Sequence, residues 1–469
     1  MNKMPNIFSS PFKKNKFEEA DVYFVADFFP EDYVGGAELT IQALIDSAPP
    51  GTKVKKYKCS ELNGDILNGI SKANKKIVFG NWTGLHPDAM KHIAQNMKYQ
   101  VVECDYKFCK HRSPEKHETY EGVCDCHETT HGQVAFAFLM GSEKIWWMSD
   151  RQRQRHESKM RELIDSAGEV LSSVFDEVTL DKLHKLSSTP KNDKWAILKS
   201  DSWIKGSEEN KKYCIDNNLP FVELGNMPYD ELLKTLAGCK GLVYMPLGGD
   251  TCPRLVIEAK LLGCELVLNE NVEHKDEQWF TDSAEEIFDY LRAAPDVFWE
   301  DVKRTRTLSG YTTVYNCIEQ KYPYIQCIQS MLQFCDEVVV IDGGSTDGTW
   351  EKLQEIKSKK LVLQQKVRDL SDPEFALYDG MQKAYARQFC TSDFCIQLDS
   401  DEIVHENDYQ KYRNLIENFP KGAALVSLPV IEYWGGYDKV RLDVTPWKWR
   451  VSKNSPRITH GVPKHLQSM

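Results

Sequence analysis

Two acidic strand ends in the last third of the chain have the residue types best suited to chemistry. The run Glu337-Val-Val-Val-Ile-Asp342 is an apolar strand candidate ending in an aspartate, and Gly-Gly-Ser-Thr-Asp347-Gly-Thr follows it. A carboxylate at the carboxyl edge of a parallel sheet is where open α/β folds bind nucleotides. The glycines let backbone approach a ligand closely. The same residues also make an ordinary strand-to-helix turn in which Asp caps the helix. Further on, Cys395-Ile-Gln-Leu-Asp399-Ser-Asp401-Glu402 again runs a strand into carboxylates. Asp399 and Asp401, two apart, share a face on extended backbone. Paired oxygen ligands at a strand end suit Mg²⁺ or Mn²⁺ bridging a diphosphate. A single Asp-x-Asp is more commonly a solvated turn, so the two segments together are the specific signal.

The first two thirds carry a second set. A strand candidate, Val22–Phe28, leads to Gly35-Gly36-Ala37-Glu38 and a helix. Free N–H groups at such a helix start face a ligand. Lys205-Gly206 also precedes a helix, where a cation and free amides suit phosphate. Asp250 lies in a loop and Glu258 eight residues on, inside the following helix; acids so placed can accept hydrogen bonds from sugar and ribose hydroxyls. Cys104, Cys109, His111, His117, Cys124, Cys126, His127 and His131 crowd one loop-like segment. Thiolate and imidazole ligands bind zinc tetrahedrally. This spacing fits no standard zinc pattern, however, and an insertion with reduced thiols is the expectation.

Positioning these residues requires strands alternating with helices. Strands are expected at Val22–Ala26, Val54–Lys58, Ile77–Asn81, Gln100–Cys104, Lys144–Met148 and Glu169–Ser173, then at Trp195–Lys199, Pro220–Leu224, Gly241–Pro246 and Glu265–Leu268. A third series is Tyr311–Tyr315, Glu337–Ile341, Leu361–Gln364, Phe394–Gln397 and Ala424–Leu428. Amphipathic stretches between them, such as Ala37–Ser47, Arg254–Leu262, Tyr324–Phe334 and Pro373–Phe389, complete βαβ units on parallel sheets. Domain edges are expected near Ser173 and Arg306.

On these residues, the stretch 311–465 resembles the family 2 glycosyltransferases of the GT-A fold. That family's opening strand and nucleotide-binding turn are matched by Thr312-Thr-Val-Tyr315-Asn316, its base-holding aspartate by Asp342, and its Asp-x-Asp by QLDSDE. The resemblance implies inverting transfer from a nucleotide sugar, with Mn²⁺ or Mg²⁺ neutralising the leaving diphosphate. It makes Asp401 the direct metal ligand, with Asp399 nearer the ribose, and His460 in Ile458-Thr-His460 a further metal ligand. The catalytic base is left among Glu432, Asp438 and Asp443, with Glu432 preferred because it follows a strand. The chain stops soon after His460, earlier than most of that family. An acceptor-covering part is therefore expected to be missing, or the 469 residues to be a piece of a longer protein.

Residues 20–305 resemble the family 4 glycosyltransferases of the GT-B fold, through Gly35, Gly36, Lys205, Asp250 and Glu258. That implies retaining transfer, usually without metal, with the donor between two Rossmann-like domains. Three features depart from the family. The first acid is Asp250 rather than Glu. The basic residue one turn before Lys205 is replaced by Ser200 or displaced to Lys199. Cys104-Asp105-Tyr106 stands where many relatives have His-Asp-Tyr.

The expected fold class is thus α/β: a GT-B-like pair of Rossmann-like domains, 1–173 on the acceptor side and 174–306 on the donor side, then a GT-A domain at 307–469. The expected function is a bifunctional glycosyltransferase using nucleotide-sugar donors and a glycan, lipid-linked or protein acceptor. One alternative is that only the GT-A module catalyses and the GT-B half docks acceptor. The other is a non-catalytic binding scaffold, against which the intact Asp399/Asp401 pair argues.

Composition narrows the rest. Net charge is −11 with pI near 5.7, and neither 307–469 nor the remainder is basic, which argues against a nucleic-acid groove. With 41% apolar and 28% charged residues the chain is neither disordered nor a coiled coil. The longest uncharged apolar run, Val134–Gly141, is too short to cross a bilayer, and Lys3, Lys13, Lys14 and Lys16 lead into no apolar signal segment. Fourteen cysteines without an export signal predict a reducing cytoplasm and free thiols.

Overall fold

The computed structural model of the chain describes residues 16–165, 168–225, 227–368, 375–420, 423–436 and 438–461. It divides into two units at Lys303/Arg304, three residues before the expected edge.

The first unit holds two parallel sheets. β1 (Val22–Ala26), β2 (Val54–Lys58), β3 (Lys76–Phe79), β4 (Tyr99–Glu103), β5 (Lys144–Trp147) and β6 (Gly168–Val170) form one, in the order β2-β1-β3-β4-β5-β6. β7 (Trp195–Leu198), β8 (Phe221–Leu224), β9 (Gly241–Tyr244) and β10 (Glu265–Leu268) form the other, in the order β10-β9-β7-β8. β1 and β9 are buried along their whole length, which is why they read as unbroken apolar runs rather than alternating ones. Strand order reverses between β1 and β3 in the first sheet and between β7 and β9 in the second. Loops leaving the carboxyl ends of such neighbours part to either side and leave a crevice.

The helix Ala284–Lys303 does not stay with the second sheet, as a 174–306 domain implies. Phe288 meets His184 beside the second sheet, but Phe298 packs on Phe24 and Trp146 of the first, and Trp299 donates to the Leu44 carbonyl at 2.7 Å. Apolar side chains from both sheets therefore share one core. The Cys/His segment is likewise not a loop. It contains a helix at Pro114–Glu121, a short 3₁₀ turn at Cys126–Glu128 and the start of the helix Thr130–Met140. Ser113 caps the first and Thr129 the last, each through a side-chain oxygen.

The second unit is one sheet. β11 (Leu308–Val314), β12 (Glu337–Asp342), β13 (Leu361–Gln365), β14 (Phe394–Gln397), β15 (Leu425–Pro429) and β16 (Trp447–Lys453) lie in the order β13-β12-β11-β14-β16-β15. The first four are mutually parallel; β16 is antiparallel to both β14 and β15. Order reverses between β11 and β14, so the residues following β11, β12 and β14 converge on one edge. The helix expected from Pro373 is described from Phe375 to Arg387; residues 373 and 374 lie outside the described residues.

Candidate functional site

At the end of β12, Asp342 is fully buried and organises its own turn. Its carboxylate accepts the backbone N–H groups of Gly344 (3.0 Å) and Ser345 (2.9 Å), the Ser345 hydroxyl, and Gln365 Nε2 (3.0 Å). Asp347 repeats the device one step on, accepting from Glu319 N (2.8 Å) and Thr349 N (3.0 Å). Asn316 closes the loop from β11, accepting from Thr346 N at 2.9 Å. Beside it the Tyr315 ring carries the Arg368 guanidinium 5.2 Å from its centroid, leaving a flat cationic and aromatic surface at the strand edge.

At the end of β14 the two aspartates behave differently. Asp399 is clamped: Oδ1 lies 2.7 Å from Lys383 Nζ and 3.0 Å from Gln397 Nε2, and Oδ2 lies 3.0 Å from Arg450. Burial opposes its ionisation, but Lys383 and Arg450 outweigh that and hold the carboxyl down at about 2. Asp401 is exposed and makes no hydrogen bond or ion pair among the described residues. It is the carboxylate left open to a ligand.

Arg450 reaches Asp399 because of a β-bulge. Along β15 and β16, Val426 pairs with Val451 and Ser427 with Trp449, so Arg450 is the extra residue on β16. Its guanidinium leaves the ladder and bonds Gln397, Asp399 and Glu402. The neighbouring Lys448 links Glu402 (3.7 Å) to Glu432 (2.9 Å). Of the three base candidates, Glu432 alone meets Lys448, and Arg441 lies 3.8 Å from its other oxygen. Asp443 is held in a two-point pair by Arg441, and Asp438 is exposed. Trp434, Trp447 and Trp449, 65%, 58% and 63% exposed, give the same edge a bare indole surface.

His460 lies close by but is engaged, its Nε2 hydrogen-bonded to the Tyr311 hydroxyl. Burial, with Arg387 and Lys383 near, pushes its imidazole down to about 4. Asp399, Asp401 and His460 are not gathered as a ligand set: among the described residues, the one group of three or more metal-type donors mutually within 4.8 Å lies in the first unit.

In the first unit, Gly35 and Gly36 start the helix Gly36–Asp46 at the reversal between β1 and β3, with the Arg254 side chain beside Gly36. Lys205 and Asp250 come from the two loops at the reversal between β7 and β9, and they pair with each other at 2.6 Å. Gly206 holds the left-handed conformation (φ +58°) that turns the chain from Lys205 into the helix Ser207–Asp216. Glu258 is buried, accepts the Tyr229 hydroxyl at 2.6 Å and lies 3.8 Å from Arg254 Nε; burial pushes its carboxyl up.

The sequence reading missed one polar centre here. Glu273, fully buried, accepts from Tyr106, from Ser149 (3.1 Å) and from Arg155 (2.7 Å), and Arg155 also pairs with Glu115. It ties the loop after β4 and the helix Asp150–Lys159 to the chain after β10. Its own segment, Asn271-Val-Glu-His-Lys-Asp-Glu, reads as a solvated acidic turn and gives no local sign of burial.

Residues 311–462 match the model of the family "Glycosyl transferase family 2". No curated protein matches the chain. Among solved structures, the chain is similar to S. aureus TarS (16% identity, over 32% of this chain and 47% of that one, TM-score 0.22). It is also similar to the trehalose-6-phosphate synthase OtsA (9%, 61% and 99%, 0.39). A third is the mannosyltransferase PcManGT from Pyrobaculum calidifontis in complex with GDP-Man and Mn²⁺ (18%, 27% and 36%, 0.21). The chain spans about half or less of the TarS and PcManGT chains it resembles.

Proposed function

With a glycosyl transferase family 2 domain over residues 311–462, we propose that the second unit transfers a sugar from a nucleotide-diphosphate sugar to an acceptor hydroxyl. The observation that carries this reading is the contrast at the end of β14. Asp401 is exposed and unpaired while Asp399, two residues back, is fixed by Lys383 and Arg450. Hard divalent cations are commonly held by one or two carboxylates together with substrate phosphates, and a single open carboxylate at a strand end fits Mg²⁺ or Mn²⁺; Asp401 would hold it. Such an ion, when bound, offsets charge on the departing diphosphate.

The chain's own residues supply the rest. The turn fixed by Asp342 and Asn316, with Tyr315 and Arg368, receives the nucleoside. Lys383 and Arg450 keep Asp399 oriented toward the donor side. Glu432, steadied by Lys448, takes the acceptor hydroxyl proton as the oxygen bonds the anomeric carbon and the nucleoside diphosphate leaves. The indoles of Trp434, Trp447 and Trp449 offer the acceptor an apolar face.

The test is release of nucleoside diphosphate from a panel of UDP- and GDP-sugars, with Mn²⁺ or Mg²⁺ present, by wild type and by Asp401→Ala. The variant, folded by circular dichroism, is expected to lose the metal-dependent part of turnover at least about a hundredfold, as when a key electrostatic group is removed. Unchanged turnover, or full activity in excess EDTA, rejects the assignment.

The first unit is proposed as a second nucleotide-sugar site built on Lys205, Asp250 and Glu258, which makes the protein bifunctional. A second reading, that this unit only docks acceptor, is favoured by one observation: Lys205, the cation offered to a donor phosphate, is already paired with Asp250. Metal-independent donor turnover remaining in Asp401→Ala supports the bifunctional reading, and none supports docking. No helix among the described residues is long and apolar enough to cross a membrane.

A further inference from the structure

Four of the eight Cys/His residues in the segment after β4 converge. Sγ of Cys109, Cys124 and Cys126 and a ring nitrogen of His117 all lie within 4.8 Å of one another, and all four residues are buried. His117 Nδ1 is 3.2 Å from Cys126 Sγ and 3.8 Å from Cys109 Sγ. In a tetrahedral zinc site with Zn–S near 2.3 Å, neighbouring donors stand about 3.8 Å apart, so the cage is already close to the size that ion needs.

The local fold gives the cluster a purpose. The helix Pro114–Glu121 that carries His117 buries only Pro114 and His117 itself. A helix this short is not stable alone, and it has almost no apolar face with which to dock. The three sulfurs come from either side of it: Cys109 from the turn before, and Cys124 and Cys126 from the turn after, which opens at Gly122 (φ +92°). The other imidazole nitrogen of His117 faces Glu121 at 3.9 Å, the outer carboxylate arrangement that orients metal-bound histidines. The remaining members of the segment have other partners: His131 Nε2 meets the Lys107 carbonyl and His111 meets Glu121.

We propose that Cys109, His117, Cys124 and Cys126 form a closed Zn²⁺ site. Three soft sulfurs and one imidazole, buried and four in number, match a structural zinc centre rather than a catalytic one, which keeps an open position. The ion staples a helix whose cap Ser113 and first-turn Glu115 lie against Gly248, next to the loop that carries Asp250. Metal binding there supplies folding energy that apolar burial does not.

The test uses the full chain, reduced and stripped of metal, titrated with Zn²⁺ against a chromogenic chelator. Wild type is expected to retain one equivalent. Cys124→Ser and Cys126→Ser should weaken retention by more than about a hundredfold, beyond what loss of an outer partner causes, while Cys104→Ser retains it. Because a cysteine variant can fail to fold, the unmutated chain is also loaded with Co²⁺. Tetrahedral cobalt absorption with thiolate charge-transfer bands, displaced by one equivalent of Zn²⁺, is expected. A reduced wild-type chain that retains no zinc, an octahedral cobalt spectrum, or equal loss in Cys104→Ser overturns the site.

Discussion

Lys205 and Asp250, forty-five residues apart in sequence, meet as an ion pair at 2.6 Å, and the same carboxylate oxygen accepts the Tyr244 hydroxyl. The lysine that a donor phosphate needs therefore has a competitor in the free protein. A partly exposed pair of this kind contributes little, about 0.2–1 kcal/mol, so exchange for a diphosphate is feasible. Asp250→Asn should raise the affinity of this site for UDP or GDP by roughly two- to fivefold, and Lys205→Met should abolish it. Calorimetry in an Asp401→Ala background measures both; no change in either variant removes Lys205 from the donor site.

Gly206→Ala tests how that lysine is aimed. The added Cβ meets the Met245 carbonyl oxygen at 2.5 Å, on backbone already in the left-handed region. The variant should lose more than about 1 kcal/mol of stability and weaken nucleotide binding at the first unit, read by thermal unfolding and by calorimetry. A variant as stable as wild type contradicts this account of the loop.

Arg155→Met strips the buried Glu273 of its cation. Removing one partner of such a pair costs about 3–5 kcal/mol, at the lower end here because Arg155 is 27% exposed and the carboxyl, pushed up by burial, can take a proton instead. Glu273→Gln should cost less, since it leaves no lone buried charge. The comparison is made on the unfolding transition of the first unit in urea; a larger loss in Glu273→Gln than in Arg155→Met reverses the argument.

His460 gives a pH signature. Its folded value, about 4, lies below the ordinary value near 6.5. On acidification the unfolded chain takes up the proton first. The contribution of His460 to stability is therefore complete above about pH 6.5 and lost as pH falls toward 4. His460→Asn, which suits the left-handed backbone there (φ +54°), should narrow its stability gap to wild type between pH 7 and pH 5 by about 1–2 kcal/mol. A pH-independent gap refutes a neutral, half-buried imidazole.

The strands that fall at their expected bounds include both central and edge ones. Val22–Ala26 and Phe394–Gln397, buried along their whole length, read as apolar runs, while Val54–Lys58 and Glu265–Leu268 are partly buried edge strands recognised from the alternation of strands and helices around them. β16 is not legible, because Trp447-Lys-Trp-Arg450 alternates bulky and charged residues without a continuous apolar run, and its pairing partners are distant. At the site, residue types and spacing bring Asp342, Asp399 and Asp401 to one sheet edge. They do not say that Asp342 turns its oxygens onto its own loop while Asp401 stays open. The choice among Glu432, Asp438 and Asp443 depends on Lys448 and Arg441, which only the fold places. The convergence of Cys109 and Cys126 around His117 likewise needs a helix that the segment's composition conceals.

The bulge at Arg450 sets the phase of β16. Residues 451–453 keep step with β14, whereas 447–449 pair only with β15, one residue out of step. Deleting Arg450 would join Trp449 directly to Val451, opposite Ser427 and Val426, so residues 447–449 would keep their partners on β15 while the guanidinium that joins Gln397, Asp399 and Glu402 would be lost. One inserted residue thus acts as a frame-setting device. It lets residues 451–453 stay paired with β14 and residues 447–449 with β15 while one side chain between them is released from the ladder to serve the acid cluster.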